Sequence, residues 1–288
     1  MRVYERAYAK INLYLDITEK RADGFHALRS VMQTVGLYDA VTVEAFPAAE
    51  PSVAISVKGR YRVPVGPGNL CHRAAMAYMQ EAAVPMRVRI YLDKHIPVAA
   101  GLGGGSADAA AVLRALNRIT GRRLAASRLL WLAGTLGSDV PFCLVGHTRL
   151  CEGRGEAMQV LTPCRPLSLV IVPSPERVST PAAYAALDAA YADFAKVAEH
   201  GDLPAMLSAL AARDAQGVSG ALYNIFESVI LPTCPIAAAN RERLYELGAE
   251  AALMSGSGAT VFGVFADDET AASAAASFGR DAVKTATV

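Results

Sequence analysis

Apolar and polar residues alternate in several stretches of the chain, and elsewhere apolar residues recur at the spacing of a helix face. Alternation and β-branched residues predict strands over residues 9–17, 41–45, 53–57, 88–92, 148–152, 167–172, 251–254 and 261–265. Helical spacing predicts helices over residues 70–82, 127–136, 180–198, 203–212 and 241–247. Strands and helices interleave along the whole chain, which predicts an α+β fold.

Glycine and proline suggest where these elements end. Gly137 is expected to end the helix before it, and Pro141 to prevent the helix from resuming. Pro163 and Pro166 mark the best place for a domain boundary, which predicts domains over residues 1–164 and 165–288. Because 288 residues exceed the roughly 100–150 of a typical domain, two lobes sharing one cleft are expected.

Composition narrows the range of partners. A net charge of +1 gives no overall basic field, which argues against binding to nucleic acid or to an anionic membrane. No run of about 18 apolar residues predicts a membrane span, and we expect a cytoplasmic protein. The five cysteines include no CxxC pair and the five histidines no HExxH spacing, so neither a disulfide framework nor a transition-metal site is expected.

The most informative segment is a glycine-rich run at residues 97–111. It contains Gly101, Gly103, Gly104 and Gly105, and an Ala-rich helical pattern follows. Glycines allow positive φ and a close approach of backbone amides to a ligand, and a helix N-terminus favours anions. The segment therefore predicts a phosphate-binding loop, although a flexible turn that only starts a buried helix is the simpler alternative.

Other phosphate-binding motifs fit poorly. The chain lacks the G-x-x-x-x-G-K-[ST] pattern and the HRD and DFG motifs of protein kinases. A dinucleotide-binding fold is the closer rival, but residues 94–98 separate the predicted strand from the first glycine. In addition, no acidic residue between residues 109 and 138 could meet a ribose.

Five segments, at residues 9–13, 21–26, 97–111, 137–142 and 255–258, are spread over nearly the whole chain. In sequence and in order they resemble the GHMP kinases, the small-molecule kinases named after galactokinase, homoserine kinase, mevalonate kinase and phosphomevalonate kinase. The resemblance implies a two-lobed α+β fold with the active site in the cleft between the lobes. It also implies ATP and Mg²⁺ as cofactors, a small-molecule substrate with a cytidyl group, and a monomer or homodimer.

The resemblance assigns a catalytic pair to Lys10 and Asp139. A carboxylate at Asp139 could accept the proton of an attacking hydroxyl, and Lys10 could keep that carboxylate ionised. A turn-stabilising Asp and a solvated Lys are the alternatives. Asn12 lies two residues after Lys10, so on a strand it faces the same way and could contact substrate or make a structural hydrogen bond.

The resemblance also places the nucleotide. It implies phosphate contacts along Pro97, Val98, Ala99, Ala100, Gly101, Leu102, Gly103, Gly104, Gly105, Ser106 and Ala107. Ala99, Ala100 and Ala107 stand where the family often has glycine or serine, and Ser106 could cap the helix or contact phosphate or Mg²⁺. For the base it points to Asn69, Leu70 and Lys94, with helix capping by Asn69 as the alternative.

On the substrate side the resemblance points to Phe25, His26, Thr180 and Tyr184. Aromatic faces and an imidazole or backbone hydrogen bond would suit a cytosine ring, although an aromatic residue before His is often only turn packing. The sequence thus predicts an ATP-dependent kinase of a cytidyl substrate. Another GHMP small-molecule kinase, or a nucleotide- or RNA-binding module without turnover, are the alternatives.

Overall fold

The computed structural model describes residues 1–288 except residues 195, 196, 198 and 199. Its strands are β1 Arg2–Lys20, β2 His26–Pro47, β3 Ser52–Gly59, β4 Met86–Lys94, β5 Thr148–Gly153, β6 Ala157–Val160, β7 Ser168–Val172, β8 Tyr223–Asn224, β9 Ala251–Met254, β10 Val261–Phe265 and β11 Val283–Ala286. Its α-helices are α1 Leu70–Glu81, α2 Gly104–Ile119, α3 Ala126–Leu136, α4 Val140–Val145, α5 Thr180–Ala190, α6 Leu203–Ala212, α7 Ala215–Gly220, α8 Glu227–Ile230, α9 Pro235–Glu246 and α10 Asp268–Phe278. The α+β prediction is confirmed.

The chain divides into two compact units. Unit 1 contains Met1–Ala9, Leu37–Val98 and Gly103–Gly146, and unit 2 contains Lys10–Gly36, Ala99–Leu102 and His147–Val288. Strands β1 and β2 each contribute residues to both units. The sequence-based boundary between residues 164 and 165 stays a prediction.

Unit 1 is a sheet covered by helices. Strand β4 pairs antiparallel with β2 and parallel with β3, so that Ile90 faces Val43 on one side and Ile55 on the other. Alternate residues of β4 are buried, as its sequence predicts. The buried face packs against α1 and α2, which are rich in alanine and therefore approach closely.

The hydroxyl of Tyr78 links the two central helices of unit 1. Tyr78 lies in α1 with 0% of its surface exposed, and its hydroxyl donates to Asn117 Oδ1 in α2 at 3.0 Å. It also lies 2.5 Å from the hydroxyl of Thr120, the residue that follows α2. The ring fills the core while the hydroxyl satisfies polar groups at the end of the helix.

Unit 2 contains a four-stranded antiparallel sheet in the order β11-β7-β10-β9. Helix α9 packs on β9 and β10, and α10 packs on β7 and β10. In the same unit, β8 pairs in parallel with β1 at Tyr14, while β5 pairs antiparallel with β2 and forms a hairpin with β6. Of the candidate site residues, Lys10 and Asn12 lie on β1 and His26 begins β2.

The structure corrects several sequence-based boundaries. Strands β1 and β2 run for 19 and 22 residues, whereas the pattern predicts only residues 9–17 and 41–45. Residues 9–17 are all buried. Because exposed and buried residues do not alternate there, the sequence pattern does not show where the strand begins and ends. The predicted helix over residues 180–198 ends as α5 at Ala190, and part of the remainder lies outside the described residues.

The expectation that Pro141 prevents a new helix is wrong. Helix α4 begins at Val140, which places Pro141 in its first turn. An amide there has no partner within the helix, so the missing N–H of proline costs nothing. Helix α9 begins with Pro235 for the same reason, six residues before the predicted start at residue 241.

We expect Tyr78→Phe to lower the stability of the chain by about 1 kcal/mol, because it removes a buried hydroxyl and leaves its partners less well satisfied. The shift of the urea midpoint measures the effect. Tyr91→Phe is the matched control, since the Tyr91 hydroxyl bonds Glu44 at 3.3 Å on the exposed face. Equal shifts for the two variants would contradict the linking role of Tyr78.

Candidate active site

In unit 1, the last glycines of the glycine-rich segment lead directly into helix α2. The N-cap of the helix is Gly103, with φ +67°, and no side chain hydrogen-bonds to the cap position among the described residues. Ser106 lies inside the first turn, so the alternative that it caps the helix is wrong. The first turn instead offers backbone amides, as an anion-binding helix N-terminus requires.

Asp139 lies immediately before α4, half-buried, in the same unit. Arg114 of α2 fixes this short helix by donating to the carbonyl oxygens of Cys143 at 2.9 Å and Leu144 at 3.4 Å. The Nε atom of Arg114 also donates to Glu5 Oε2 at 3.0 Å. The helix that follows the glycine run therefore holds the element that carries Asp139. Sequence analysis missed Arg114, which belongs to no motif.

In unit 2, the glycine run meets the second glycine turn at residues 255–258. A Cβ on Gly101 would lie 2.1 Å from the carbonyl oxygen of Ser255, and the Ser255 hydroxyl donates to the Gly101 carbonyl oxygen at 3.1 Å. Asn224 fixes the second turn from behind, because its Nδ2 donates to the carbonyl oxygens of Met254 and Gly256. The two glycine segments, far apart in sequence, are in direct backbone contact.

Lys10 lies beside this contact. Its backbone amide donates to the carbonyl oxygen of Leu102 at 3.0 Å, and a Cβ on Gly256 would lie 3.5 Å from its Nζ. Nζ donates to Asn12 Oδ1 at 2.8 Å, and Asn12 Nδ2 donates to the Ser30 hydroxyl at 2.7 Å. The predicted shared face of Lys10 and Asn12 is confirmed, and Ser30 is a further member that the sequence did not indicate.

The two predicted aromatic residues, Tyr184 and Phe25, have different neighbours. Tyr184 packs against the ring of His26, with centroids 4.7 Å apart, and edge-on against Phe226. Phe25 is 49% exposed, and the guanidinium of Arg154 lies 3.7 Å from its ring centroid. His26 rather than Phe25 is thus the direct neighbour of Tyr184, and Phe25 offers an exposed ring with a cation on it.

Asp188 orients the imidazole. His26 Nε2 lies 2.7 Å from Asp188 Oδ1, and Lys20 Nζ donates to Asp188 Oδ2 at 2.6 Å. Partial burial works against ionisation of Asp188, but the hydrogen bonds from Lys20 and His26 outweigh it and lower the pKa of this carboxyl. Asp188 lies one helical turn after Tyr184 on α5, a relation that helical spacing alone could have indicated.

Thr180 connects the aromatic residues to the second glycine turn. Its hydroxyl lies 3.2 Å from the Ser257 hydroxyl, and it shares a face of α5 with Tyr184. Within unit 2, Thr180 thus lies against the second glycine turn, and Tyr184 follows it one helical turn later on α5.

Two residues predicted to contact the base have structural partners. Asn69 caps α1, since its Oδ1 accepts from the Cys71 amide at 2.8 Å, and its Nδ2 donates to the Pro64 carbonyl oxygen. This confirms the capping alternative. Lys94 is 1% exposed, and its Nζ is held by Asp39 and Asp108. Contacts of Asn69, Leu70 and Lys94 with a nucleotide stay predictions.

In the part of the chain that the structure describes, no three His, Cys, Asp or Glu side chains are placed to hold a metal ion. Across the same residues, no helix has both the length and the apolar character to cross a bilayer.

Comparison with known proteins identifies the family. Residues 69–147 match the GHMP kinases N terminal domain, and residues 206–284 match the GHMP kinases C terminal domain. A 4-diphosphocytidyl-2-C-methyl-D-erythritol kinase from Pelotomaculum thermopropionicum is 43% identical over 274 residues, which covers 95% of this chain and 93% of that protein. The kinase of the same name from Caldicellulosiruptor saccharolyticus is 38% identical, covering 94% of this chain and 90% of its own length.

Solved structures agree with this result. A crystal structure of 4-(cytidine 5'-diphospho)-2C-methyl-D-erythritol kinase superposes with a TM-score of 0.82 at 33% identity, covering 99% of each chain. Homoserine kinase from Cytophaga hutchinsonii has a TM-score of 0.74 at 18% identity, covering 100% of this chain and 94% of its own, and shows the shared fold. The chain belongs to the GHMP kinase family.

We expect Gly101→Ala to disrupt the contact between the two glycine segments, because the new Cβ clashes with Ser255 and Gly101 has φ +73°. Gly121→Ala is the matched control, since Gly121 has φ +71° but nothing within 4 Å of its Cβ position. Denaturant unfolding should show a cost of about 1–2 kcal/mol for Gly121→Ala and a clearly larger one for Gly101→Ala. Similar costs for both would mean that the contact with Ser255 is unimportant.

Proposed function

We propose that this GHMP kinase transfers the γ-phosphoryl group of ATP to the 2-hydroxyl of 4-diphosphocytidyl-2-C-methyl-D-erythritol. The observation that carries the proposal is 43% identity over 95% of the chain to a kinase of that name. The superposition at 33% identity on a solved kinase of the same substrate supports it. Homoserine and mevalonate kinases share the fold at 18% identity or less, which gives no reason to prefer their substrates.

The nucleotide phosphates are assigned to the segment from Pro97 to Ala107. Support comes from the glycine N-cap of α2 and from the exposed or half-buried Gly104, Gly105 and Ser106 of its first turn. Free amides and the positive end of the helix dipole favour a bound anion there. We expect Mg²⁺ to enter with ATP, because this ion commonly keeps phosphate and water ligands rather than an all-protein site.

The chemical step is assigned to Asp139 and Lys10. The carboxylate of Asp139 takes the proton of the 2-hydroxyl as that oxygen bonds to the γ-phosphorus, and the bond from this phosphorus to the bridging oxygen of ADP breaks. Lys10 supplies positive charge for the phosphoryl group in transfer. Its Nζ is positioned for this by Asn12 and lies beside the second glycine turn.

The cytidyl group is assigned to the aromatic residues of unit 2. The exposed ring of Phe25 offers a stacking surface, and Arg154 supplies a cation beside it. His26, held by Asp188 and packed on Tyr184, supplies a polar edge at a fixed orientation. Thr180 lies where the aromatic residues meet the second glycine turn. These features suit a flat polar ring attached to a diphosphate.

The proposal is tested by the release of ADP from ATP and Mg²⁺. We expect release with the cytidyl substrate, and none above background with mevalonate or homoserine. Release with mevalonate or homoserine alone would place the chain elsewhere in the same family. No release with any of the three would contradict kinase activity on these alcohols.

For the base, we expect Asp139→Ala to lower turnover by about 10²–10⁴-fold while ATP affinity changes little. Asp139→Asn should behave alike, since it keeps the shape but cannot accept the proton as a carboxylate does. Steady-state kinetics and ATP calorimetry on both variants provide the measurement. Turnover near that of the unaltered chain in Asp139→Asn would exclude Asp139 as the base.

For the stacking surface, we expect Phe25→Ala to raise KM for the cytidyl substrate about tenfold or more while KM for ATP stays unchanged. Trp131→Ala is the matched control, because Trp131 is 52% exposed and Arg128 lies 3.7 Å from its ring. It should leave both constants unchanged. If Phe25→Ala raises both constants equally, Phe25 only supports the fold.

A further inference from the structure

Three charged side chains are buried in unit 1 between the two ends of the glycine-rich segment. Asp39 on β2, Lys94 at the end of β4 and Asp108 on α2 are 0%, 1% and 3% exposed. Lys94 Nζ contacts Asp39 Oδ2 and donates to Asp108 Oδ2 at 2.7 Å. We call these residues the buried triad.

Fold stability alone gives a weak reason for this arrangement. The surrounding core consists of apolar residues of β2, β4, α1 and α2. Burying an ammonium and two carboxylates there has a large desolvation cost, which their attraction rarely exceeds when compared with well-packed apolar side chains. Asp108 Oδ1 is moreover buried without a hydrogen-bond partner. The triad is therefore better explained by the backbone groups that it holds in place than by its own contribution to the free energy of folding.

Asp39 holds the chain where the glycine-rich segment begins. Its Oδ1 accepts from two successive backbone amides, those of His95 at 2.5 Å and Ile96 at 2.8 Å. A carboxylate that accepts two amides fixes the direction of the backbone at that point. Pro97, the first residue of the segment assigned to phosphate, follows directly.

Asp108 holds the other end. It lies in the second turn of α2, so its bond to Lys94 ties the helix that follows the segment to the strand that precedes it. The helix approaches the strand closely here, because a Cβ on Gly104 would lie 2.9 Å from Ile96 Cγ2 and 3.6 Å from Lys94 Nζ. Loss of the tie would allow the first turn of α2 to move away from Ile96.

Lys94 remains charged in this setting. Burial disfavours its ammonium form, but the two carboxylates outweigh burial and raise the pKa of Lys94. Its charge is thus used within the protein, between Asp39 and Asp108.

We propose that Asp39, Lys94 and Asp108 are positioning residues for nucleotide binding, which close the base of the glycine-rich segment and hold the first-turn amides of α2 in place. This inference rests on the proposed function only in assigning the phosphates to that segment. It gives Lys94 an indirect role in which its ammonium does not contact the nucleotide.

Two single variants at Asp39 test the held amides while the bond between Lys94 and Asp108 stays in place. Asp39→Asn keeps an oxygen that can accept from His95 and Ile96, whereas Asp39→Leu removes it. ATP affinity is measured by calorimetry without the second substrate. We expect Kd to stay within about threefold of the unaltered chain for the asparagine variant, and to rise about tenfold or more for the leucine variant. KM for the cytidyl substrate should change in neither.

The control is a carboxylate outside the buried triad that, like Asp39, accepts from two backbone amides. Glu176 also accepts from two successive amides, those of Ile236 at 3.1 Å and Ala237 at 2.9 Å, at the start of α9. We expect Glu176→Leu to lower the melting temperature without changing Kd for ATP. If Asp39→Leu does not fold, Asp108→Asn replaces it, with an expected rise in Kd of about threefold or more.

The outcomes separate this inference from the proposed function. An unaltered chain that does not bind ATP contradicts the proposed function itself. An unaltered chain that binds ATP, with folded variants of unchanged Kd, overturns the positioning role. Equal losses for ATP and the cytidyl substrate would also overturn it, because they would indicate general damage to the fold.

Discussion

The arrangement of unit 2 depends on one backbone contact that only glycine permits. Gly101 lies so close to the Ser255 carbonyl oxygen that no Cβ fits between them, and its φ of +73° disfavours any other residue. This contact brings together two turns separated by about 150 residues of sequence and places both beside Lys10. The glycines at these positions are thus required for packing as well as for any approach to a ligand.

Strand β1 carries a polar face into the interior of unit 2. Lys10, Asn12, Tyr14 and Asp16 alternate along the strand and are all buried. A partner from a different part of the chain meets each of the last three: Ser30 for Asn12, the Gly201 carbonyl oxygen for Tyr14, and His200 for Asp16. Buried polar groups need such partners, so each fixes the position of the next element. The polar residues of β1 thereby hold distant segments of unit 2 along one strand.

Sequence patterns predicted the parts of the molecule that local chemistry decides. The helix at residues 70–82 and the alternating strand at residues 88–92 match α1 and β4 closely, since each has one buried face. Strand β2 was largely missed because residues 26–40 mix charged and apolar positions whose burial depends on partners such as β5. Arg114 could not be predicted either, because its partners lie on β1 and α4.

Lys94 shows that a resemblance to a family can point to a residue without showing which atoms of that residue are available to a ligand. The resemblance to a family implies a nucleotide contact at this residue, and in the structure its ammonium is enclosed by two carboxylates. The backbone carbonyl oxygen of Lys94 accepts the amide of Arg60 at 2.8 Å. The main chain of Lys94 is therefore bonded to the residue that follows β3. A lysine whose charge is offset twice cannot attract phosphate as an exposed one does. With a net charge of only +1, attraction of an anionic nucleotide then depends on local groups, above all on the amides at the start of α2.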